Sequence, residues 1–146
     1  MVYKRLPQGT LKVKDIANKT FISLDQDTLV ADAAKTLYEQ EGCSVIVTRN
    51  DRYRGYRIPV GIVTERDIIF RLVAQNRGPF KVTLKDIMSS PLVTIHSEKS
   101  LKEALSVLKH KKINRLPVVD GDGRLIGIIT TEMIVQKLPF EKIAEA

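Results

Sequence analysis

Thr64 and Asp67 are the residues whose types and spacing best suit ligand chemistry in this chain. Three residues apart at the start of a helix, a hydroxyl and a carboxylate face the same side. An ionised carboxylate is an acceptor-only group with two oxygens, so it can take hydrogen bonds from two neighbouring hydroxyls of a ligand. The first backbone N–H groups of such a helix have no partner within it and form a ready site for phosphate. The same spacing also describes an ordinary N-cap followed by a first-turn acid, which the helix dipole favours. Thr130 repeats the threonine later in the chain, but Met133 stands where the acid would be. A thioether cannot accept two strong hydrogen bonds, so Met133 reads as core filler.

A second concentration of chemistry is the run Arg49-Asn50-Asp51-Arg52-Tyr53-Arg54-Gly55-Tyr56-Arg57. Its arginines interleave with tyrosines on a predicted hairpin tip, a pattern that can hold phosphates and stack bases. A solvated, mobile tip is the plainer reading. Enzyme chemistry has little support, because no paired acids, metal cluster or activated nucleophile appears. Cys43 is the single cysteine, and His96 and His110 lie in the other half of the chain. Cys43 therefore reads as a buried small hydrophobe.

The elements that must position these residues occur twice. A shift of 71 residues lays Lys14-Asp15-Ile16 on Lys85-Asp86-Ile87, Ala33 on Ala104, Leu37 on Leu108 and Val47 on Val118. Beyond that point the shift drops to 66, because the first copy carries five extra residues, and Gly61-Ile62-Val63-Thr64 falls on Gly127-Ile128-Ile129-Thr130. Each copy reads as strand, helix, strand, strand, helix. The strands are Phe21–Leu24, Ser44–Val47 and Gly61–Thr64 in the first copy, and Leu92–Ile95, Leu116–Val119 and Leu125–Thr130 in the second. Val30, Ala33, Ala34 and Leu37, like Leu101, Ala104, Leu105 and Leu108, recur at helical spacing. Ser100 and Glu103 form a capping-box signature, and Asp120-Gly121-Asp122-Gly123 is a strong hairpin turn. Closing helices run from Glu65 to about Ala74 and from Thr131 to about Leu138. The expected class is α+β: two βαββα repeats, 11–75 and 82–140, packed through their sheets about a pseudo-two-fold axis that creates paired clefts. Residues 1–10 form an N-terminal arm, 76–81 a linker and 141–146 a C-terminal tail.

At 146 residues, 43% hydrophobic and 28% charged, the chain has an ordinary globular composition. No apolar run approaches the roughly 18 residues of a membrane span, and Met1–Arg5 lacks a secretory signal, so a cytoplasmic protein with no membrane partner is expected. A net charge of +7, from 24 Lys and Arg against 17 Asp and Glu, suits an anionic partner.

The segments 86–95 (Asp-Ile-Met-Ser-Ser-Pro-Leu-Val-Thr-Ile), 113–120 (Ile-Asn-Arg-Leu-Pro-Val-Val-Asp) and 61–67 (Gly-Ile-Val-Thr-Glu-Arg-Asp) resemble the characteristic segments of CBS domains, named after cystathionine β-synthase. The resemblance covers roughly residues 11 to 138 and implies a tandem pair, the Bateman module, with two clefts for adenosine-containing ligands. It implies that the Thr-x-x-Asp of one copy works with the opening and middle strands of the other. Thr64, Arg66 and Asp67 would then bind a nucleotide, Asp67 through the ribose hydroxyls, while Ser90, Pro91, Leu92 and Val93 form an adenine slot. Arg115 and Pro117 would flank that slot, Arg115 as a phosphate ligand, and Ile62 would close it. The second cleft, with Thr20, Phe21, Ile22, Ser44, Ile46 and Thr130, departs from the pattern and is expected to be weak or empty.

Two functions compete on the sequence. One is a stand-alone regulatory module, not an enzyme and requiring no cofactor, that senses an adenine nucleotide or an S-adenosyl compound and acts on an unknown regulated protein. The alternative is a nucleic-acid-binding protein that uses the basic hairpin 49–57. Apolar closing-helix residues, Ile68, Ile69, Leu72, Ile134 and Val135, point to a homodimer.

Overall fold

The computed structural model describes residues 11–137. The expected arm at 1–10, the tail at 141–146 and the end of the closing helix at Leu138 lie outside the described residues. In chain order the elements are α1 (Val13–Ile16), β1 (Ser23–Asp25), α2 (Val30–Glu39), β2 (Ser44–Asn50), β3 (Arg57–Thr64), α3 (Glu65–Ile68) continued by a π-helical turn (Ile69–Val73), α4 (Leu84–Ile87), β4 (Ile95–His96), α5 (Leu101–Lys111), β5 (Arg115–Val119) and β6 (Leu125–Thr130). A last helix, α6, occupies 131–137. The strands form two three-stranded sheets ordered β1-β2-β3 and β4-β5-β6. In each the first pair is parallel and the second antiparallel, as a strand–helix–strand–hairpin order requires.

The chain divides into two compact units. One is residues 20–93; the other combines residues 11–19 with residues 94–137. Sequence copy and compact unit are therefore offset, since the opening segment of each copy packs with the other copy's sheet. In the 20–93 unit, Val30, Ala33 and Leu37 of α2 meet Val45 and Val47 of β2, Val63 of β3 and Leu72, all buried. Val82, Leu84 and Ile87 complete this core from the next copy's opening segment. Burying a side chain of this kind contributes about 1.5–3 kcal/mol, so α4 is held chiefly by Leu84 and Ile87.

Backbone bonds repeat the same arrangement in both units. Leu84 N–H and Lys85 N–H donate to the carbonyls of Thr28 and Gln26 at 2.9 and 3.0 Å, and Val13 N–H and Lys14 N–H donate to Lys99 and Ser97 at 2.8 and 3.1 Å. The first donors of α4 and α1, which have no partner within their own helix, are thereby satisfied by the turn before α2 or α5. In return the Val82 and Pro79 carbonyls accept from Val30 and Ala31 at the start of α2, which has no side-chain cap of its own.

The glycine of each Gly-Ile-(Val/Ile)-Thr run lies under the crossing segment. A Cβ on Gly61 would strike the Met88 sulfur and approach its Cγ to 2.8 Å, and one on Gly127 would lie 3.0 Å from the Asn18 carbonyl oxygen. Antiparallel bridges fix both crossings, Ile62 with Ser89 and Asn18 with Ile128.

Several expectations are corrected. Phe21 and Ile22 precede β1, and Leu92, Val93 and Thr94 precede β4, so both opening strands start late. Ile46 N–H donates to the Ile22 carbonyl at 2.9 Å. Pro117, at the equivalent place, has no N–H to give, and the β4–β5 register starts one residue later, at Ile95 with Val118. Pro117 is buried on the central strand of its sheet. The closing helix of the first copy is α-helical for only one turn before it widens, Ala74 N–H reaching the Ile69 carbonyl at 2.8 Å. Cys43 is exposed, because it lies in the turn between α2 and β2 instead of in either element. Leu72 and Ile134 are buried within the chain, so they do not belong to an outer apolar face.

Candidate functional site

Thr64 ends β3 and caps α3. Its extended backbone (φ −111°, ψ 170°) aims its side chain back at the helix start. Asp67 Oδ2 accepts the Thr64 N–H at 2.8 Å and the Thr64 hydroxyl at 3.1 Å, and Asp67 N–H donates to Thr64 Oγ1 at 3.4 Å. This reciprocal box satisfies two donors that would otherwise lack a helix partner. It also fills both acceptor directions of Oδ2 and leaves Oδ1 outside the box, so the carboxylate serves first as a helix start. The Asp67 side chain is only 12% exposed, and Arg71 Nε lies 3.7 Å from Oδ1.

Arg71 also donates from Nη1 to the Ile87 carbonyl at 3.0 Å. It thus links the acid to the end of α4, beside the segment that leads into residues 89–93. Sequence reasoning missed Arg71; its place four residues after Asp67, where helical ion pairs form, was the available signal.

Within the 20–93 unit the chain brings together most of the expected first set. Ser89 N–H donates to the Ile62 carbonyl at 2.9 Å and Ile62 N–H to Ser89 at 3.3 Å. Ser90 to Val93 therefore begin alongside β3, two residues before Thr64. Ser90 and Pro91 are exposed, Leu92 and Val93 half-buried. Arg66 is exposed and stacks its guanidinium 5.0 Å from the Phe70 ring centre.

Arg115 and Pro117 lie on β5 in the other unit, Arg115 half-buried and paired in register with Thr130. Thr130 Oγ1 accepts the Met133 N–H at 3.1 Å, so the cap persists there without the carboxylate. Met133 is half-buried, less enclosed than core filler would be. Of the expected second set, Ser44 and Ile46 pair across β2–β3 with Thr64 and Ile62. Thr20 is exposed, while Phe21 and Ile22 are half-buried.

The basic hairpin is held by its own charges. Asp51 N–H donates to the Tyr56 carbonyl at 2.9 Å, the Asp51 carboxylate pairs with Arg54 at 3.1 Å, and Arg57 pairs with Asp25 and donates to Thr48 Oγ1 at 3.0 Å. Asp25 is held below the usual carboxylate range by the Asp27 backbone N–H and by Arg57. Half of the arginines read as phosphate ligands are thus engaged by carboxylates. No helix among the described residues is long and apolar enough to cross a membrane.

Comparison with known proteins shows the same fold elsewhere. An uncharacterized protein of Methanopyrus kandleri is 36% identical over 132 residues, covering 90% of this chain; the chain spans 64% of that protein's length. The CBS domain pair of protein MJ0100, solved in complex with 5-methylthioadenosine and S-adenosyl-L-methionine, superposes with a TM-score of 0.72 at 29% identity over 88% of this chain and 96% of that one. CBSX2, solved in complex with AMP, gives a TM-score of 0.70 at 26% identity over 90% of this chain and 98% of that one. The CBS domain profile matches twice, over residues 13–74 and 84–139, and with two copies of the fold in one chain, this protein belongs to the CBS domain family.

Proposed function

We propose that the chain is a regulatory module that binds an adenosine-containing ligand, AMP, ADP, ATP or an S-adenosyl compound. The observation that carries this reading is the Thr64–Asp67 box, which leaves Oδ1 outside its hydrogen bonds, beside the bridge that sets Ser89, the residue before Ser90–Val93, against Ile62. In this reading Asp67 Oδ1 accepts a ribose hydroxyl, the half-buried Leu92 and Val93 with Ile62 enclose the base, and Arg66 and Arg71 supply positive charge near Thr64. The adenosyl ligands of MJ0100 and CBSX2 support the ligand class.

Thr130 and Met133, without a carboxylate, make the weaker second set. We further propose that the protein acts in the cytoplasm on a partner protein without catalysis of its own, and that it self-associates as a homodimer through its exposed apolar residues. The internal ion pairs of the hairpin disfavour a nucleic-acid function. A thermal-shift series with AMP, ADP, ATP, 5-methylthioadenosine and S-adenosyl-L-methionine tests the ligand reading. A ligand at a hundred times its Kd stabilises the folded chain by about 2.7 kcal/mol, which raises Tm measurably; an unchanged Tm with every compound at millimolar concentration contradicts it.

A further inference from the structure

The hairpin end of the β2–β3 ladder carries a second concave surface. A pocket of about 550 Å³ opens between the turn after β1 and the hairpin tip, within the range of small-molecule sites. Three carboxylates line it, and each already has a cation: Asp25 has Arg57, Asp27 has Lys85 at 2.8 Å, and Asp51 has Arg54 at 3.1 Å. Arg49 and Arg52 line it as well, both exposed. Neither has a carboxylate partner among the described residues. Counting those three partner cations, which stand outside the lining, the pocket and its immediate surroundings carry two guanidinium groups in excess, and Tyr53 of the lining is 96% exposed.

This surface is separate from Thr64 and Asp67. Ser44 pairs with Thr64 at one end of β2, and Asn50 pairs with Arg57 at the other, a separation of roughly 20 Å along a seven-residue strand. It exists because of the five-residue insertion. The second copy turns tightly instead, with Asp120 accepting the N–H groups of Asp122 and Arg124 at 2.9 and 3.0 Å.

We propose that this pocket binds a small phosphate-bearing molecule, its anionic group held by Arg49 and Arg52. A guanidinium presents paired donors that match phosphate oxygens, and two of them on one concave wall suit a dianion. The proposal is independent of adenosine binding at Asp67.

Inorganic pyrophosphate, titrated into the full chain at constant ionic strength and followed by amide NMR, is the direct test. Saturable shifts are expected at residues 25–27 and 49–53, with an affinity at least tenfold weaker in Arg49→Gln/Arg52→Gln. A charge-matched control, Lys102→Gln/Lys109→Gln on α5, should keep the parental affinity, and Asp67→Asn should leave the shifts unchanged. Retained affinity in the arginine variant, or an equal loss in the lysine control, overturns the proposal. So does binding confined to a single-stranded oligonucleotide with a steep salt dependence, which assigns the arginines to a nucleic-acid backbone.

Discussion

Asp67 Oδ2 lies 2.8 Å from the Thr64 backbone nitrogen, so the acid proposed to hold a ribose also holds the helix on which it stands. Asp67→Ala should therefore lower stability by about 0.5–2 kcal/mol through the lost cap, in addition to any loss of ligand. Asp67→Asn keeps a side-chain oxygen for the Thr64 N–H and should melt closer to the parent. Thermal denaturation without ligand separates the two variants; equal melting temperatures for Asp67→Ala and the parent mean that the box contributes nothing.

The second copy has the threonine half of the same box. Because Thr130 Oγ1 already accepts the Met133 N–H, a carboxylate introduced by Met133→Asp has the Thr130 N–H to turn back to, as Asp67 turns to Thr64. We expect a folded variant, within about 1 kcal/mol of the parent, that gains a second class of adenosyl site. Calorimetric stoichiometry decides: if the number of sites and their affinities match the parent, the missing carboxylate is not what weakens that set.

Gly61→Ala and Gly127→Ala should each destabilise by about 1–3 kcal/mol, since each added methyl enters an occupied crossing. Their rescue should differ. Gly61 meets the Met88 side chain, whereas Gly127 meets the Asn18 carbonyl at 3.0 Å. Met88→Ala should thus recover part of the Gly61→Ala loss in a double-mutant cycle. Additive effects of the two changes would place the strain elsewhere.

Glu98 joins α1 to the turn before α5. Lys12 Nζ and Lys14 Nζ lie 2.5 and 2.7 Å from its two oxygens and hold its carboxyl down at about 2 from an ordinary 4.5, the Lys12 hydrogen bond first. A depressed carboxylate stabilises the fold above its unfolded pKa, and that contribution is lost as pH falls from 4.5 towards 2. Tm of the parent should drop through this window, and Glu98→Gln should drop less. Parallel curves for the two proteins exclude the pairing; high salt should narrow the difference, as it does for exposed ions.

Ile69, Phe70 and Val73 follow α3 with exposures of 54%, 54% and 64%, and Phe80 adds 75%. An isologous contact would cover them. Sedimentation at micromolar concentration should show a dimer of the 16.5 kDa chain, dissociated by Phe70→Glu/Val73→Glu. A parent that sediments as a monomer rules out this use of the surface.

Much of the fold was legible because its signals are local. Val30, Ala33 and Leu37 follow helical spacing and are buried, and the Asp120–Gly123 turn sets the register of Val119 with Leu125. α1 and α4 were not legible, since four residues carry no periodicity, although the Thr83–Asp86 box starts α4 as Thr64–Asp67 starts α3. Which copy those segments pack against is also silent in local sequence; it follows from backbone bonds such as Leu84 N–H to Thr28. In the site, Thr64 and Asp67 were readable as a pair. That Oδ2 would be engaged, and that Arg71 would connect Oδ1 to the Ile87 carbonyl, depended on the helix geometry.

Isothermal calorimetry of the parent and Asp67→Asn with AMP and S-adenosyl-L-methionine tests the central claim most directly. Removing the charge that accepts a ribose hydroxyl should cost about 1.5–3 kcal/mol, on the order of 10- to 150-fold in affinity. The account predicts one strong site per chain for at least one of these ligands, weakened by that factor in a variant that remains folded. A parent that binds neither ligand, or a variant that binds as tightly as the parent, contradicts it.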